Sequence, residues 1–141
     1  MRFWDSSALV ALVLPELLSA PCSEAYQEDS DVLVWALAPV EVLSALHRRQ
    51  RQGELSDGVF TEAIRRLEQL RGNWSEVLDL EVVRARAERV IAVHGVRAAD
   101  ALQLAAALVV SDEQPRRVPF VSLDQRLNSA AGLEGFMVLP D

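Results

Sequence analysis

Two patterns of apolar positions alternate along the chain. Short runs in which nearly every residue is apolar or β-forming predict strands at residues 2–5 and in "DVLVWAL", "SEVLDL", "RVPFVSL" and "FMVLP". "DVLVWAL" is apolar almost throughout, which is typical of a strand that is buried on both faces of a sheet. The chain is therefore predicted to contain five short strands, at least one of them central.

Longer segments between these runs have the spacing and end signals of helices. We predict helices at residues 6–14, 16–29 and about 57–71 and in "APVEVLSALHRRQRQG", "EVVRARAERVIAVHG", "RAADALQLAAALVV" and "DQRLNSAAG". Pro21 weakens the second helix, whereas Ser56 and Asp57 are suited to cap the fourth. Strands that alternate with helices, without hairpin signals, predict a central, mainly parallel sheet in a three-layer α/β/α (Rossmann-like) fold.

Composition places the chain among ordinary globular proteins. Its 141 residues, 50% hydrophobic and 25% charged, fit a single domain over residues 1–141. The single cysteine, Cys22, allows no internal disulfide. No signal-like or membrane-length apolar run occurs. We therefore expect a soluble, cytoplasmic protein that has no membrane partner.

The charged residues narrow the set of possible catalytic mechanisms. Fourteen basic residues stand against 21 acidic ones, for a net charge of -7, and every basic residue is an arginine. The absence of lysine excludes Schiff-base catalysis and the P-loop. The arginines cluster in "HRRQR", "IRRL", "RARAER" and "QPRR", which are either solvated helix faces or local phosphate-binding patches.

Four acids occupy unusual positions. Asp5 and Asp124 follow predicted strands, Glu41 lies among apolar residues one turn into a helix, and Asp100 lies in a helix that is apolar almost all round. An ionised carboxylate in such surroundings is costly unless a partner or a cation compensates its charge. Helix capping alone is the more common role for an acid at the position of Asp5 or Asp124, and the helix dipole would favour Glu41, whereas Asp100 is the hardest of the four to explain structurally.

The predicted fold brings these acids to one edge. Ligands of open α/β sheets bind at the carboxyl ends of the strands, where Asp5 and Asp124 stand and towards which Glu41 and Asp100 can point. Four oxygen donors without His or Cys suit Mg²⁺ or Mn²⁺. Ser6 and Ser122 are candidates to orient the carboxylates, or simply to cap or turn the chain. His47 and His94 lack paired ligand spacing and are weak catalytic candidates.

Four stretches carry a family resemblance. "FWDSSALVALVLPE", "VEVLSALHRR", "RAADALQLAAAL" and "FVSLDQRLNSAA" resemble, in family order and over essentially the whole chain, the PIN-domain ribonucleases and most closely the VapC toxins of bacterial toxin–antitoxin pairs. The resemblance implies a PIN fold and RNA cleavage dependent on Mg²⁺ or Mn²⁺. It implies that the acids that bind the metal and carry catalysis are Asp5, Glu41, Asp100 and Asp124.

The resemblance also implies partners. A VapB-type antitoxin would cover the site, and the chain would form a homodimer, for which the first helices offer Leu12, Leu14, Leu17 and Leu18 as apolar surface. A structured RNA with an exposed loop, such as a tRNA or rRNA, is the expected substrate, because specific readers of RNA mostly target unpaired segments. The arginines expected to hold flanking phosphates are Arg48, Arg49, Arg116 and Arg117.

Three other functions share parts of this pattern. A phosphorelay receiver domain would require a lysine that the chain lacks. A haloacid-dehalogenase-type phosphatase would require an acid two residues after Asp5, where the chain has Ser7. A catalytically silent PIN-like module that binds RNA or another partner stays open, because the sequence does not show whether the four acids converge.

Overall fold

A five-stranded parallel sheet forms the centre of the molecule. The computed structural model describes residues 1–141. The strand order is β3-β2-β1-β4-β5, and every neighbouring pair is parallel. The strands are β1 (Arg2–Trp4), β2 (Val32–Trp35), β3 (Ser75–Val77), β4 (Phe120–Val121) and β5 (Val138–Leu139).

Helices cover both faces of this sheet. The first four helices share one hydrophobic core with it and the last three share another, which gives three layers. The first group is α1 (Ser6–Val13), α2 (Ser19–Glu28), α3 (Ala38–Arg51) and α4 (Asp57–Arg71). The second group is α5 (Leu80–His94), α6 (Ala98–Val110) and α7 (Gln125–Leu133). The α/β/α fold with a parallel sheet, as predicted from the sequence, is confirmed.

Side chains of each central strand alternate between the two cores. In β1, Phe3 stacks on Phe120 with ring centroids 5.5 Å apart, while Trp4 faces the opposite core and meets Tyr26 edge-on at 6.4 Å. All four residues of β2 are buried in the same alternating manner. The prediction that "DVLVWAL" is buried on both faces is therefore confirmed for the residues that form the strand.

The chain reverses its direction across the sheet next to β1. From β1 it moves to β2 and β3 on one side, and it then crosses back through α5 and α6 to β4 on the other. Trp4 pairs with Val121, so the segments that begin at Asp5 and Ser122 leave the sheet side by side. Such a switch point leaves a crevice at the carboxyl ends of the strands, where ligands of α/β sheets bind.

Several element boundaries differ from the predictions. The second helix begins at Ser19 rather than residue 16, which places Pro21 in its first turn, where proline is tolerated. The strand predicted from "RVPFVSL" shrinks to Phe120–Val121 after a short 3₁₀ helix at Pro115–Arg117. The end of "SEVLDL" is helical, because the Asp79 side chain accepts a hydrogen bond from the Val82 N–H at 3.3 Å and caps α5.

The apolar surface predicted for dimer formation is only partly present. Leu14 is buried and Leu12 is half-buried, because both pack within the core between α1, α2 and the sheet. Leu17 and Leu18, between α1 and α2, are 92% and 51% exposed. The inclusion of Leu14 in the exposed set was therefore wrong.

Helix α6 is apolar over most of its length. Seven residues of α6 are buried, among them Gln103. None of the helices has by itself the length and hydropathy that a membrane span requires, although α5 and α6, taken together as a pair bent by 116°, meet that criterion by length and composition.

Candidate active site

A cavity of about 470 Å³ opens at the carboxyl edge of the sheet, beside β1 and β4. All four acids singled out in the sequence line it, and it also receives residues from α1 and α3. The lining consists of Asp5, Ser6, Ser7, Val10, Val40, Glu41, Ser44, Ala45, Arg48, Asp100 and Asp124. Acids from both ends of the chain and from its middle thus meet in one crevice.

Asp5 lies deepest and has two structural roles. It ends β1 and caps α1, accepting a hydrogen bond from the Ser7 N–H at 3.1 Å. The same carboxylate oxygen accepts from the hydroxyl groups of Ser7 and Ser122, the latter at 3.1 Å. Asp5 is only 3% exposed. Burial raises the pKa of its carboxyl above the usual value, although these hydrogen bonds act in the opposite direction.

Glu41 enters the cavity from the first turn of α3. The Ser6 hydroxyl donates to one of its oxygens at 2.9 Å, and the Gln103 amide donates to the other at 3.3 Å. Burial is the main reason that the pKa of Glu41 is raised, and the nearby charges of Asp5 and Asp100 raise it further. Hydrogen bonds therefore hold the Glu41 carboxylate from two sides, although burial and the neighbouring acids disfavour its ionised form.

Asp100 and Asp124 complete the acid group from the other face of the sheet. Asp100 is half-buried in the first turn of α6, and its pKa is raised by burial and then by the charges of Asp124 and Asp5. Asp124 caps α7 by accepting from the Leu127 N–H at 2.9 Å. Its own N–H donates to the Ser122 hydroxyl at 3.1 Å, so Ser122 links Asp124 to Asp5.

The donor chemistry of this cluster fits a hard divalent cation. It offers carboxylate and hydroxyl oxygens only, and bound positive charge would offset both the burial that mainly raises the pKa values of Glu41 and Asp100 and the repulsion among the acids that raises them further. No three acid, histidine or cysteine side chains stand close enough in this conformation to hold one ion. The residue types therefore fit such an ion, while binding would require the carboxylates to come closer together than they are here, with Ser6, Ser7, Ser122 and Gln103 limiting their orientations.

The four predicted arginines are placed differently. Arg48 lines the cavity. Arg49 lies next to it on α3 but pairs with Glu16 at 2.9 Å and Glu54 at 3.2 Å, away from the acids. Arg116 and Arg117 belong to the 3₁₀ helix that precedes β4, and thus lie at the amino edge of the sheet, opposite the cavity. The structure brings Arg48 to the acids and leaves the other three elsewhere.

Four further residues belong to this region and were not singled out from the sequence. Ser7 holds Asp5, and Gln103 holds Glu41. Gln103 is fully buried in a helix whose only other polar residue is Asp100, so the burial argument applied to Asp100 would also have identified Gln103. Arg97 and Arg126 line an adjoining cavity. No pattern in the sequence distinguishes them from the other arginines, and only the fold shows that they flank the acids.

Sequence comparison places the chain among known proteins. The model of the PIN domain family matches residues 2–133. Two curated proteins from Mycobacterium tuberculosis, ribonuclease VapC45 (strain CDC 1551 / Oshkosh) and ribonuclease VapC49 (strain ATCC 25618 / H37Rv), are each 32% identical to the chain over 141 residues. The match covers 98% of this chain and 94% of each relative.

Solved structures show the same fold. The crystal structure of PAE2754 from Pyrobaculum aerophilum superposes with a TM-score of 0.68 at 20% identity, covering 98% of this chain and 90% of that one. The structure of FitAcB from Neisseria gonorrhoeae gives a TM-score of 0.64 at 18% identity, covering 99% and 97%. The family model, the near-complete match to two curated relatives and the α/β/α architecture lead to one assignment: the chain belongs to the PIN-domain family and, within it, to the VapC-type ribonucleases.

Proposed function

We propose that this protein is an endoribonuclease dependent on Mg²⁺ or Mn²⁺ and that it is the toxin component of a type II toxin–antitoxin system. The observation that carries the proposal is the convergence of Asp5, Glu41, Asp100 and Asp124 on one cavity at the switch point of the sheet. The ribonuclease names of its relatives support the choice of RNA over other phosphodiesters.

The four acids would hold the cation, with assistance from neighbouring side chains. Ser7 and Ser122 fix the orientation of Asp5, and Ser6 and Gln103 fix that of Glu41. A divalent cation, when bound, would supply the Lewis acidity that activates water and stabilises charge on the scissile phosphate. Orientation by hydroxyl and amide donors limits the movement that the carboxylates need before they can act together.

Arg48 would bring the substrate to the acids. It lines the cavity beside Glu41 and makes no ion pair within the protein, unlike its neighbour Arg49. Its guanidinium is suited to hold a phosphate adjacent to the cleaved bond, because its planar donors match phosphate oxygens. An unpaired loop of a structured RNA, such as a tRNA or rRNA, is the substrate that would most readily enter an open crevice of this kind.

A VapB-type antitoxin would inhibit the enzyme at the same place. Four carboxylates without metal repel one another, and an arginine supplied by the partner would neutralise two of them through a forked hydrogen bond. Such an inhibitor should compete with Mn²⁺. Calorimetry of the inhibitory segment at low and high Mn²⁺ tests this, and an affinity independent of the metal would place inhibition elsewhere.

Cleavage of labelled RNA by the purified protein tests the function itself. We expect cleavage with Mg²⁺ or Mn²⁺ and none in excess EDTA. Asp100→Asn should abolish cleavage, whereas the control Asp112→Asn, on the exposed turn after α6, should leave it unchanged. Cleavage that persists in EDTA would refute the proposal, and RNA binding without any cleavage would identify the catalytically silent module instead.

A further inference from the structure

A second cavity adjoins the acid cavity on the side of α6 and α7. Its volume is about 460 Å³, and it is lined by Arg97, Asp100, Asp124, Gln125 and Arg126. Asp100 and Asp124 line both cavities, so the two cavities, which together make up the groove, adjoin at these acids. The second cavity has no hydrophobic lining residue.

The two arginines of this cavity have no partner within the protein. Arg97 precedes α6 and Arg126 lies in the first turn of α7, and both are exposed. Neither takes part in an ion pair within 4.0 Å, in contrast to Arg2, Arg49, Arg65, Arg66 and Arg86. Their positive charges oppose the rise in the pKa of Asp100 that burial causes, which places them within electrostatic reach of the acids.

This combination favours a phosphate over a base as the occupant. Bases of single-stranded nucleic acids are held mainly by stacking on aromatic rings, and the second cavity offers none. Free guanidinium groups, in contrast, bind phosphate oxygens through paired hydrogen bonds. Arg48 lines the groove from α3, on the other side of the acids. The groove therefore presents positive charge at both ends of a negative centre.

We propose that Arg97 and Arg126 bind the RNA backbone at phosphates adjacent to the cleaved bond, so that the strand runs from Arg48 across the acids into the second cavity. The proposal rests on the proposed ribonuclease function and adds to it the path of the strand and the residues that hold it beyond the acids. Because backbone phosphates are the same at every nucleotide, this interaction contributes affinity without sequence preference.

A pair of double variants with equal charge changes tests the proposal. Arg97→Gln/Arg126→Gln removes the proposed phosphate-binding groups, and Arg116→Gln/Arg117→Gln removes two exposed arginines at the opposite edge of the sheet. The probe is a fluorescein-labelled single-stranded RNA of about 12 nucleotides, a length within the range that such sites cover. Its dissociation constant is measured by fluorescence anisotropy in EDTA, which prevents cleavage, at several salt concentrations.

We expect the first double variant to bind this RNA about tenfold more weakly than the second, as the removal of charged hydrogen bonds implies. The dependence of log affinity on log salt concentration should become shallower by about 0.7 for each phosphate that is no longer neutralised. In cleavage with Mn²⁺, the Michaelis constant should rise while the turnover number stays within about twofold of wild type, because the acids are untouched.

A purely structural role makes a different prediction. If the arginines served only to offset the charge of the acids, their removal would change Mn²⁺ affinity and thermal stability but leave RNA affinity and its salt dependence equal to those of Arg116→Gln/Arg117→Gln. That result would overturn the proposal while leaving the ribonuclease function intact. A wild-type protein that neither binds nor cleaves RNA would refute both, so the two failures are distinguishable.

Discussion

Asp5 combines the role of a helix cap with a position in the proposed active site. It caps α1 through the Ser7 N–H, and its buried carboxylate also faces the cavity shared with Glu41 and Asp100. From the sequence, capping and function are alternatives for this residue. The structure shows that they are compatible, because the carboxyl end of β1 is both the start of a helix and the floor of the crevice.

Asp5→Asn should abolish cleavage and stabilise the metal-free protein at neutral pH. The amide keeps the cap but removes a buried charge whose pKa is raised by burial. Because the pKa of Asp5 is higher in the folded than in the unfolded state, ionisation of this carboxyl destabilises the folded protein. This destabilisation is absent below the unfolded-state pKa of about 3.9 and develops as the pH rises through the higher folded-state pKa. The increase in the free energy of unfolding caused by Asp5→Asn should therefore be larger at neutral than at acidic pH.

Urea unfolding of wild type and Asp5→Asn in EDTA across this pH range measures the effect. Asp79→Asn is the control, because Asp79 also caps a helix, α5, but is exposed and lies outside the cavity. Its substitution should leave cleavage unchanged. A change in stability that is the same at all pH values would show that the buried charge of Asp5 does not oppose folding.

Gln103 is expected to position Glu41 rather than to act on substrate. Gln103→Leu has nearly the same volume and removes both the donor to Glu41 and a buried amide oxygen that has no hydrogen-bond partner. Stability should therefore be kept, while Mn²⁺ affinity falls about tenfold or more, as for other residues that support metal ligands. Calorimetric titration with Mn²⁺ gives the affinity, and Ser111→Ala, a buried polar change at the far end of α6, is the control.

Among the secondary-structure elements, helix α6 connects the acid cavity to the hydrophobic core. Its first turn carries Asp100, and its following turns are buried against the sheet, α5 and α7. Alanine at 105, 106 and 107 is fully buried, so the helix packs closely with its neighbours. The position of Asp100 relative to Asp124 thus depends on a tightly packed interface rather than on a loop.

Ala106→Leu should disturb this interface. Additional methylene groups in a filled core typically cost about 1–3 kcal/mol, and the displaced helix would move Asp100 as well. We therefore expect a lower free energy of unfolding together with weaker Mn²⁺ affinity. Ala92→Leu, on the exposed surface of α5, should change neither property. A destabilised Ala106→Leu protein with unchanged Mn²⁺ affinity would show that the site tolerates movement of α6.

At the scale of the whole molecule, self-association is expected at the exposed leucines between α1 and α2. Leu17 and Leu18 are the part of the predicted apolar surface that the fold leaves uncovered. If the protein is a homodimer, Leu17→Glu should shift it towards monomer, because burial of a new charge at an interface is unfavourable. Leu133→Glu is the control, since Leu133 is 80% exposed at the end of α7, in the opposite helical layer. Sedimentation that shows a wild-type monomer at micromolar concentration would contradict the dimer.

Local patterns were sufficient to predict the order and type of the elements. Apolar runs, helix caps and glycine stops act over a few residues, so five strands and seven helices could be located with errors mainly at their ends. The ends of the elements depend on pairing between distant segments, which local patterns do not show. For example, β4 keeps only two of the seven residues in "RVPFVSL", because its pairing with β1 and β5 determines where the strand begins and ends.

The candidate acids could likewise be selected from the sequence, since a carboxylate among apolar residues is costly and therefore conspicuous. Their convergence, however, depends on strand order, which places β4 beside β1 although β2 and β3 lie between them in the chain. The same long-range order brings Gln103 to Glu41 and Arg97 to Arg126, and it leaves Arg116 and Arg117 at the opposite edge. Which residues are costly to bury follows from their own chemistry and that of their neighbours along the chain. Which of them meet depends on the packed fold, because contacts between distant segments arise from packing and not from neighbouring residues.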